Sequence, residues 1–147
     1  MQRGGRRQAG MTLMELLVVV TIVGILASIA YPAYTQFVRQ TNRTDATKTL
    51  QMAAQSLERC YSVNFTYINA ATTPCNIIAG NTNSPQGFYT ITVAIADPQT
   101  YLLTATPLTP PQTADNSCLQ FTLSSTGQQA AQDLNANDTT QLCWGSN

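Results

Sequence analysis

The sequence has 147 residues, of which only 10% are charged, and its 7 basic and 7 acidic side chains give a net charge of zero. Soluble domains usually carry about 25% charged residues, so this composition is not that of an ordinary soluble protein. The sequence contains no histidine, which excludes Ser-His-Asp and Cys-His nucleophiles and histidine-ligated metal sites. We therefore expect no catalytic residue, no cofactor and no metal. A neutral chain also offers no bulk electrostatic reason to bind nucleic acid.

Residues 1–10 are predicted to form a basic leader peptide, because their charged side chains are all arginines: Arg3, Arg6 and Arg7. An apolar run follows over residues 11–31, and a helix of that length spans roughly 31 Å, the thickness of a bilayer's hydrocarbon core. No charged residue lies between Glu15 and Arg39. The positive-inside rule therefore predicts a single membrane pass with a cytoplasmic N-terminus.

A secretory signal peptide is the alternative interpretation of this start, since it also has a basic beginning and an apolar centre. Two features argue against it. The apolar run is longer than the usual signal core of about 7 to 15 residues, and helical periodicity continues beyond it. Past Pro32, apolar residues recur three or four apart, at positions such as Ala46, Leu50 and Leu57, which indicates an amphipathic helix over residues 32–60.

The two stretches together predict one helix from about residue 12 to residue 60, on the order of 70 Å long. Pro32 lacks a backbone donor and is expected to bend this helix. Gly24 is a second position at which the helix can loosen. Both residues are also tolerated in ordinary membrane helices, and that alternative stays open.

Residues 61–147 are predicted to form a small antiparallel β-sheet head. Apolar and polar residues alternate over residues 88–95, and further short strands are predicted over residues 101–106 and 118–124. We expect this meander to pack on the amphipathic half of the helix, because so small a sheet cannot bury enough surface alone. Residues 125–142 show no clear period and are predicted to be a loop. The predicted fold class is therefore α+β.

Four cysteines, Cys60, Cys75, Cys118 and Cys143, are widely spaced and lack a CxxC pair, which argues against zinc. If the head lies outside the cytoplasm, their even number favours two disulfides. Four cysteines allow three pairings. We favour Cys60 with Cys75 and Cys118 with Cys143, because each bond then joins neighbours in the sequence.

The stretch Gly-Met-Thr-Leu-Met-Glu-Leu at residues 10–16, followed by the apolar run to Tyr31-Pro32, resembles the processing and methylation motif of type IV pilins. The head is most similar to PilE-type minor pilins of Gram-negative bacteria. The resemblance implies that a prepilin peptidase cuts after Gly10 and that Met11 becomes the N-methylated terminus. The family usually has Phe at the position of Met11, so this residue is a departure. Glu15 matches the acidic residue five positions past the cut.

Glu15 also has a physical interpretation that does not need the family. A carboxylate within a membrane costs a few kcal/mol, so it requires a cationic partner or a route to water. Cleavage after Gly10 frees the amine of Met11 one helical turn away. We predict that Glu15 of one subunit pairs with the Met11 amine of a neighbouring subunit. This pairing would set the axial register of a filament. The alternative is that Glu15 extends to the lipid headgroups from an ordinary anchor.

These features predict a structural subunit, a minor pilin of a type IV pilus, that takes part in pilus assembly, twitching motility and adhesion and is not an enzyme. Its expected partners are other major and minor pilins, the prepilin peptidase and methyltransferase, and the inner-membrane assembly machinery. Its expected location is the inner membrane before assembly and the cell-surface pilus afterwards. Two alternatives remain, a pseudopilin of a type II secretion system and a membrane-anchored periplasmic binding module that keeps its leader.

The distribution of charge adds one expectation about the head. No Lys or Arg follows Arg59, and duplex DNA is bound mainly through cations that neutralise phosphates. Direct nucleic-acid binding by the head is therefore not expected. Two interpretations are open for the cations of the helix, such as Arg39, Arg43 and Lys48: they pair with Asp45 or with acids of adjacent heads, or they form a solvated face.

Overall fold

The computed structural model describes residues 12–68 and 82–145. The chain divides into two compact units, residues 1–36 and residues 37–147. Helix α1 (Leu13–Asn64) is followed by the strands β1 (Thr82–Asn83), β2 (Tyr89–Asp97), β3 (Thr100–Pro107), β4 (Gln120–Ser124) and β5 (Gln129–Gln132) and by the helix α2 (Thr140–Trp144). A short 3₁₀ helix (Gln112–Ala114) lies between β3 and β4.

The described part of the first unit is the N-terminal portion of α1, and its side chains are exposed from residue 12 to residue 34. Thr12 precedes the helix, and its Oγ1 accepts a hydrogen bond from the backbone N–H of Glu15 at 3.2 Å, as an N-cap residue does. This portion is long and apolar enough to cross a membrane, and none of it is buried within the chain. A helix that is apolar on all sides suits hydrocarbon or other helices as surroundings.

The second unit begins with the amphipathic part of α1. One face of the helix is buried at intervals of three or four residues, at Ala46, Leu50, Ala53, Leu57 and Cys60. This spacing places all five on one stripe facing the head, which confirms the amphipathic pattern. Tyr34 and Phe37 are both 67% exposed, so the buried stripe starts later than the sequence periodicity suggested.

Helix α1 ends at Asn64, four residues beyond the predicted end. Phe65 has a left-handed backbone with φ of 56°, and its N–H donates to the carbonyl of Tyr61 at 2.8 Å. This geometry closes a helix and is usually supplied by glycine. A phenylalanine in that role gives no sequence signal of a helix end.

The described strands form one antiparallel sheet in sequence order from β1 to β5. Its register aligns Ile91 with Ala105, Ala105 with Phe121, and Phe121 with Ala131. This row of buried side chains forms the core together with the buried stripe of α1. The predicted meander and the α+β class are confirmed.

The prediction that residues 125–142 form a loop was wrong in two places. Strand β5 pairs with β4, with Leu123 opposite Gln129, and α2 occupies residues near the C-terminus. Gln and Ala are weak strand formers, so β5 depends on pairing with β4 more than on its own pattern. Five residues are too few to show the helical period of α2.

Candidate functional site

A polar network holds the packed part of α1 to the head. The guanidinium of Arg43 donates from Nε to Asp115 Oδ2 at 2.7 Å and from Nη2 to Asp115 Oδ1 at 2.9 Å. The side chains of Arg43 and Asp115 are only 12% and 4% exposed. Two parallel hydrogen bonds make this a bidentate ion pair, which is the strongest form of an arginine–carboxylate contact. The partner of Arg43 is an acid of its own head, which directly follows the 3₁₀ helix. For Arg43, both the predicted pairing with Asp45 or an adjacent head and the alternative of a solvated face were therefore wrong.

Further hydrogen bonds extend this network into the core. Gln112 is fully buried, and its Nε2 donates to Tyr89 Oη at 2.7 Å and to the carbonyl of Arg39 at 3.3 Å. The hydroxyl of Ser84 donates to the buried carboxylate of Asp45 and accepts the N–H of Tyr89 at 3.0 Å. Periodicity missed these residues, because polar side chains are assigned to the surface by default.

A tyrosine cluster fastens the other end of the packed helix. Glu58 Oε1 accepts hydrogen bonds from Tyr67 Oη at 2.9 Å and from Tyr101 Oη at 3.0 Å. The ring of Tyr67 meets Tyr101 edge-on at 4.9 Å and stacks on Tyr61 at 4.6 Å, both within the range of favourable aromatic pairs. The segment that follows α1 is thereby held against the sheet.

Burial shifts the tyrosines of this head toward the neutral form. Desolvation, followed by the hydrogen bond to Glu58, raises the pKa of Tyr67 to about 12 and raises the pKa of Tyr101 as well. Desolvation also raises the pKa of Tyr89 to about 12. The stabilisation that these neutral tyrosines give the folded head is therefore complete below about pH 10. It is lost as the pH rises through their folded-state pKa values.

We expect Tyr67, Tyr89 and Tyr101 to stay protonated at about pH 11, where an unfolded tyrosine is mostly ionised. The near-ultraviolet absorbance of tyrosinate, followed during an alkaline titration of the full chain in detergent, measures this. Glu58→Gln is the matched variant, because it should lower the pKa of Tyr67 and Tyr101 and leave that of Tyr89 unchanged. Simultaneous ionisation of all tyrosines near pH 10 would contradict the assignment.

The C-terminus is attached by a disulfide between Cys118 and Cys143, whose Cα atoms are 5.8 Å apart. Next to it, Trp144 Nε1 donates to the carbonyl of Ala130 at 2.9 Å. This arrangement agrees with the predicted pairing. Cys60 is buried near the end of α1, and its predicted partner Cys75 lies outside the described residues, so that bond stays a prediction.

The residues of the N-terminal motif are only partly described. Gly10 and Met11 lie outside the described residues. Glu15 is exposed in the first turn of α1, and no cation pairs with it among residues 12–68 and 82–145. A Cβ built on Gly24 would meet nothing within 4 Å, and Pro32 lies inside the continuous helix. The bending role of these last two residues stays a prediction.

An open groove of about 580 Å³ lies between the last turns of α1 and the sheet. Most of the surface that lines it is apolar. The lining residues are Ala54, Gln55, Glu58, Arg59, Tyr101, Leu123, Ser124, Ser125, Thr126 and Gly127. Sequence patterning did not single out this groove, because it forms where α1, β3 and the β4–β5 turn meet.

The architecture defines a class of protein. A helix whose first part is exposed and apolar, whose second part packs on an antiparallel meander, and whose head is closed by a C-terminal disulfide is the fold of a pilin subunit. A solved structure, the non-core minor pilin PilV of Neisseria meningitidis, has this fold: it aligns with a TM-score of 0.51 and 23% identity, over 69% of this chain and 93% of that chain.

Two family comparisons match the sequence itself. Residues 5–31 match the prokaryotic N-terminal methylation motif. Residues 32–122 match the family described as type IV minor pilin ComP, DNA uptake sequence receptor. That match covers more than half of the chain, so the chain belongs to this family of type IV minor pilins. A comparison with curated proteins gave no match.

Proposed function

We propose that this minor pilin enters the inner membrane through α1, is cut after Gly10 by a prepilin peptidase, and is N-methylated on Met11. It then joins other major and minor pilins in a surface pilus that serves twitching motility and adhesion. The observation that carries the proposal is the exposed apolar part of α1, most of which lies within the match to the methylation motif at residues 5–31. Such a surface needs lipid before assembly and neighbouring helices after it.

Glu15 is the residue whose chemistry links these two states. It lies in the first turn of an exposed apolar helix, where an unpaired carboxylate is costly in lipid or in a filament core. Cleavage after Gly10 creates the amine of Met11 close to the same depth. Pairing with the amine of a neighbouring subunit neutralises both charges and favours one axial register.

Replacing Glu15 with Gln should reduce the amount of this subunit in sheared fibres by about tenfold or more, because the register pair is lost. Its amount in the inner membrane should not change. Thr21→Val is the matched control, since Thr21 lies on the same exposed helix and its hydroxyl donates within that helix, to the carbonyl of Leu17. Quantitative blots of fibre and membrane fractions measure both, and an unchanged fibre content would remove the register role.

The description of the matched family favours a second candidate function, reception of DNA. In this chain the four positive charges that follow the predicted cleavage site lie on α1. One of them, Arg43, is engaged by Asp115, and Arg39 is half-buried. Lys48 and Arg59 are both exposed and eleven residues apart, which places them on one helix face about 16 Å apart. Two cations give only a weak, sequence-independent attraction for phosphates.

We therefore expect the processed chain, which begins at Met11 and lacks Arg3, Arg6 and Arg7, to bind duplex DNA weakly in detergent, with a salt dependence that corresponds to about two phosphate contacts. Fluorescence anisotropy at several salt concentrations measures the slope. The double variant Lys48→Gln with Arg59→Gln should remove the remaining binding, whereas Asp97→Asn, a neutralised exposed head residue, should not weaken it. Tight binding that survives the double variant would assign the head a DNA site that its charges do not indicate.

A further inference from the structure

Arg39 is a cation of the head unit that has no acceptor within the described residues. It is half-buried, its Nε is shielded from solvent, and its guanidinium forms no hydrogen bond or ion pair there. We propose that Arg39 binds a lipid headgroup phosphate in the periplasmic leaflet of the inner membrane before assembly, and that the adjoining end of the head rests on that headgroup layer. The proposal rests on the proposed function, because it requires α1 to cross the membrane.

The place of Arg39 along α1 corresponds to the depth of the headgroups. Arg39 is the first charged residue after Glu15, and it follows the exposed stretch of residues 12–34 by five positions. That stretch gives about 33 Å of helix, and five more residues add about 8 Å. The hydrocarbon core of a bilayer is about 30 Å thick, and the headgroup regions bring the total to about 40–45 Å. The long side chain of Arg39 therefore reaches the phosphates.

The aromatic residues at the end of the exposed stretch mark the same boundary. Tyr31 and Tyr34 are both exposed. Tyrosine is enriched where the hydrocarbon core meets the headgroups, because its ring is apolar and its hydroxyl is polar. A cation five positions beyond such a residue lies on the phosphate side of the boundary.

The acids that the fold brings to this part of α1 are engaged by other groups. Asp115 places both carboxylate oxygens on Arg43, and the buried carboxylate of Asp45 accepts the hydroxyl of Ser84. Arg39 and Arg43 carry like charges four positions apart on the helix, and only Arg43 is neutralised. A partly desolvated guanidinium without a counter-ion favours an anion from outside the chain.

The end of the head next to Arg39 is uncharged. It consists of the turn of residues 84–88 and the loop of residues 107–114, which a backbone hydrogen bond of 2.8 Å joins. Gln112 of this loop donates to the carbonyl of Arg39 at 3.3 Å. Neither segment contains an acid or a base, and Leu108 is exposed. A neutral, partly apolar surface does not repel phosphates and suits the interfacial layer.

Two acids on this side of the sheet lie away from α1. Asp133 and Asp138 belong to the loop after β5, whose Leu134 N–H donates to the carbonyl of Asn116 at 3.0 Å. Strand β5 is three strands from β2, which is about 14 Å. The carboxylates of both residues accept hydrogen bonds from their own part of the chain. The proposed contact therefore uses the α1 side of this end and not the β5 side.

A carboxylate of a neighbouring pilin is the other anion that a guanidinium binds well. The bilayer is the partner that the position of Arg39 favours. Phosphates surround α1 at this depth whenever its apolar part lies in lipid, whereas a neighbouring subunit is present only after assembly.

Fluorescence quenching of the full chain in lipid nanodiscs tests the contact. The nanodiscs contain phosphatidylethanolamine, phosphatidylglycerol and a lipid with a nitroxide on its headgroup. A fluorescent amino acid at position 113, an exposed residue of the loop next to Arg39, should be quenched. The same amino acid at position 99, in the β2–β3 turn at the other end of the sheet, is the control and should not be quenched.

Arg39→Gln should lower the ratio of quenched to unquenched heads at position 113 by about fivefold, the factor that one cation near an anionic membrane surface supplies. Arg39→Lys should retain most of the quenching. Lys48→Gln removes an exposed cation of the same helix and should leave the quenching unchanged. Nanodiscs in which every lipid is a neutral glycolipid without phosphate should give the same loss as Arg39→Gln.

Equal quenching at position 113 in the parent and in Arg39→Gln overturns the contact, and so does quenching that persists without phosphate. If Arg39→Gln keeps the quenching but removes the chain from fibres, the partner of Arg39 is a carboxylate of a neighbouring pilin and the proposal is wrong. A chain that enters nanodiscs with an unquenched head overturns the contact alone. A chain that does not enter nanodiscs contradicts the proposed function as well.

Discussion

Replacing Asp115 with Ala should lower the free energy of unfolding of the head by about 3 to 4 kcal/mol. The substitution leaves the guanidinium of Arg43 only 12% exposed and without its carboxylate. A buried charge that loses its partner costs far more than the net value of the pair, because the desolvation penalty remains. Chemical unfolding of the full chain in detergent, followed by circular dichroism, measures the loss.

Two further variants separate this cause from a general defect. Lys48→Ala removes an exposed charge of α1 and should change the free energy of unfolding by no more than about 0.5 kcal/mol. The double variant Arg43→Met with Asp115→Leu removes both charges and should recover most of the stability, since apolar residues of similar volume often replace a buried pair without loss. A loss below about 1 kcal/mol in Asp115→Ala would show that the pair is solvated.

The second large effect concerns the C-terminal disulfide. Replacing Cys118 and Cys143 together with Ser should lower the free energy of unfolding by about 3 kcal/mol, because the bond closes a segment with a sequence separation of 25. The bond also holds α2 next to β5, where Trp144 contacts Phe121 and donates to the carbonyl of Ala130.

Thermal unfolding of the double variant and of the oxidised parent in the same detergent measures this effect. Release of α2 should also quench or shift the fluorescence of Trp144, which is the single tryptophan of the sequence. Leu142→Ala is the control, because it alters an exposed residue of α2 and leaves the bond intact. Equal unfolding temperatures with and without the disulfide would contradict its structural role.

The main elements of this fold could be predicted because their patterns are local. The apolar run, the stripe at Ala46, Leu50 and Leu57, and the alternation of β2 each repeat a single period over many residues. Strand β5 and α2 could not be predicted in this way. They are too short to show a period, and they depend on pairing with β4 and on a disulfide to a distant residue.

The residues of the candidate site likewise fall into those that a local sequence pattern indicates and those that it does not. The motif around Gly10 and Glu15 is a contiguous signal and can be recognised directly. The pair between Arg43 and Asp115 joins residues 72 positions apart, and no local rule indicates that an arginine on a helix and an aspartate after a proline-rich turn will meet. The groove at Arg59 likewise exists only after the sheet has packed on α1.

The most direct test of this minor pilin's processing and assembly is the intact mass and N-terminal sequence of the chain recovered from sheared surface fibres. We predict a chain that begins at Met11 with a methylated amine and lacks residues 1–10. A chain found only in the inner membrane, with Gly10 and the preceding residues still attached, would contradict both the processing and the assembly proposed above.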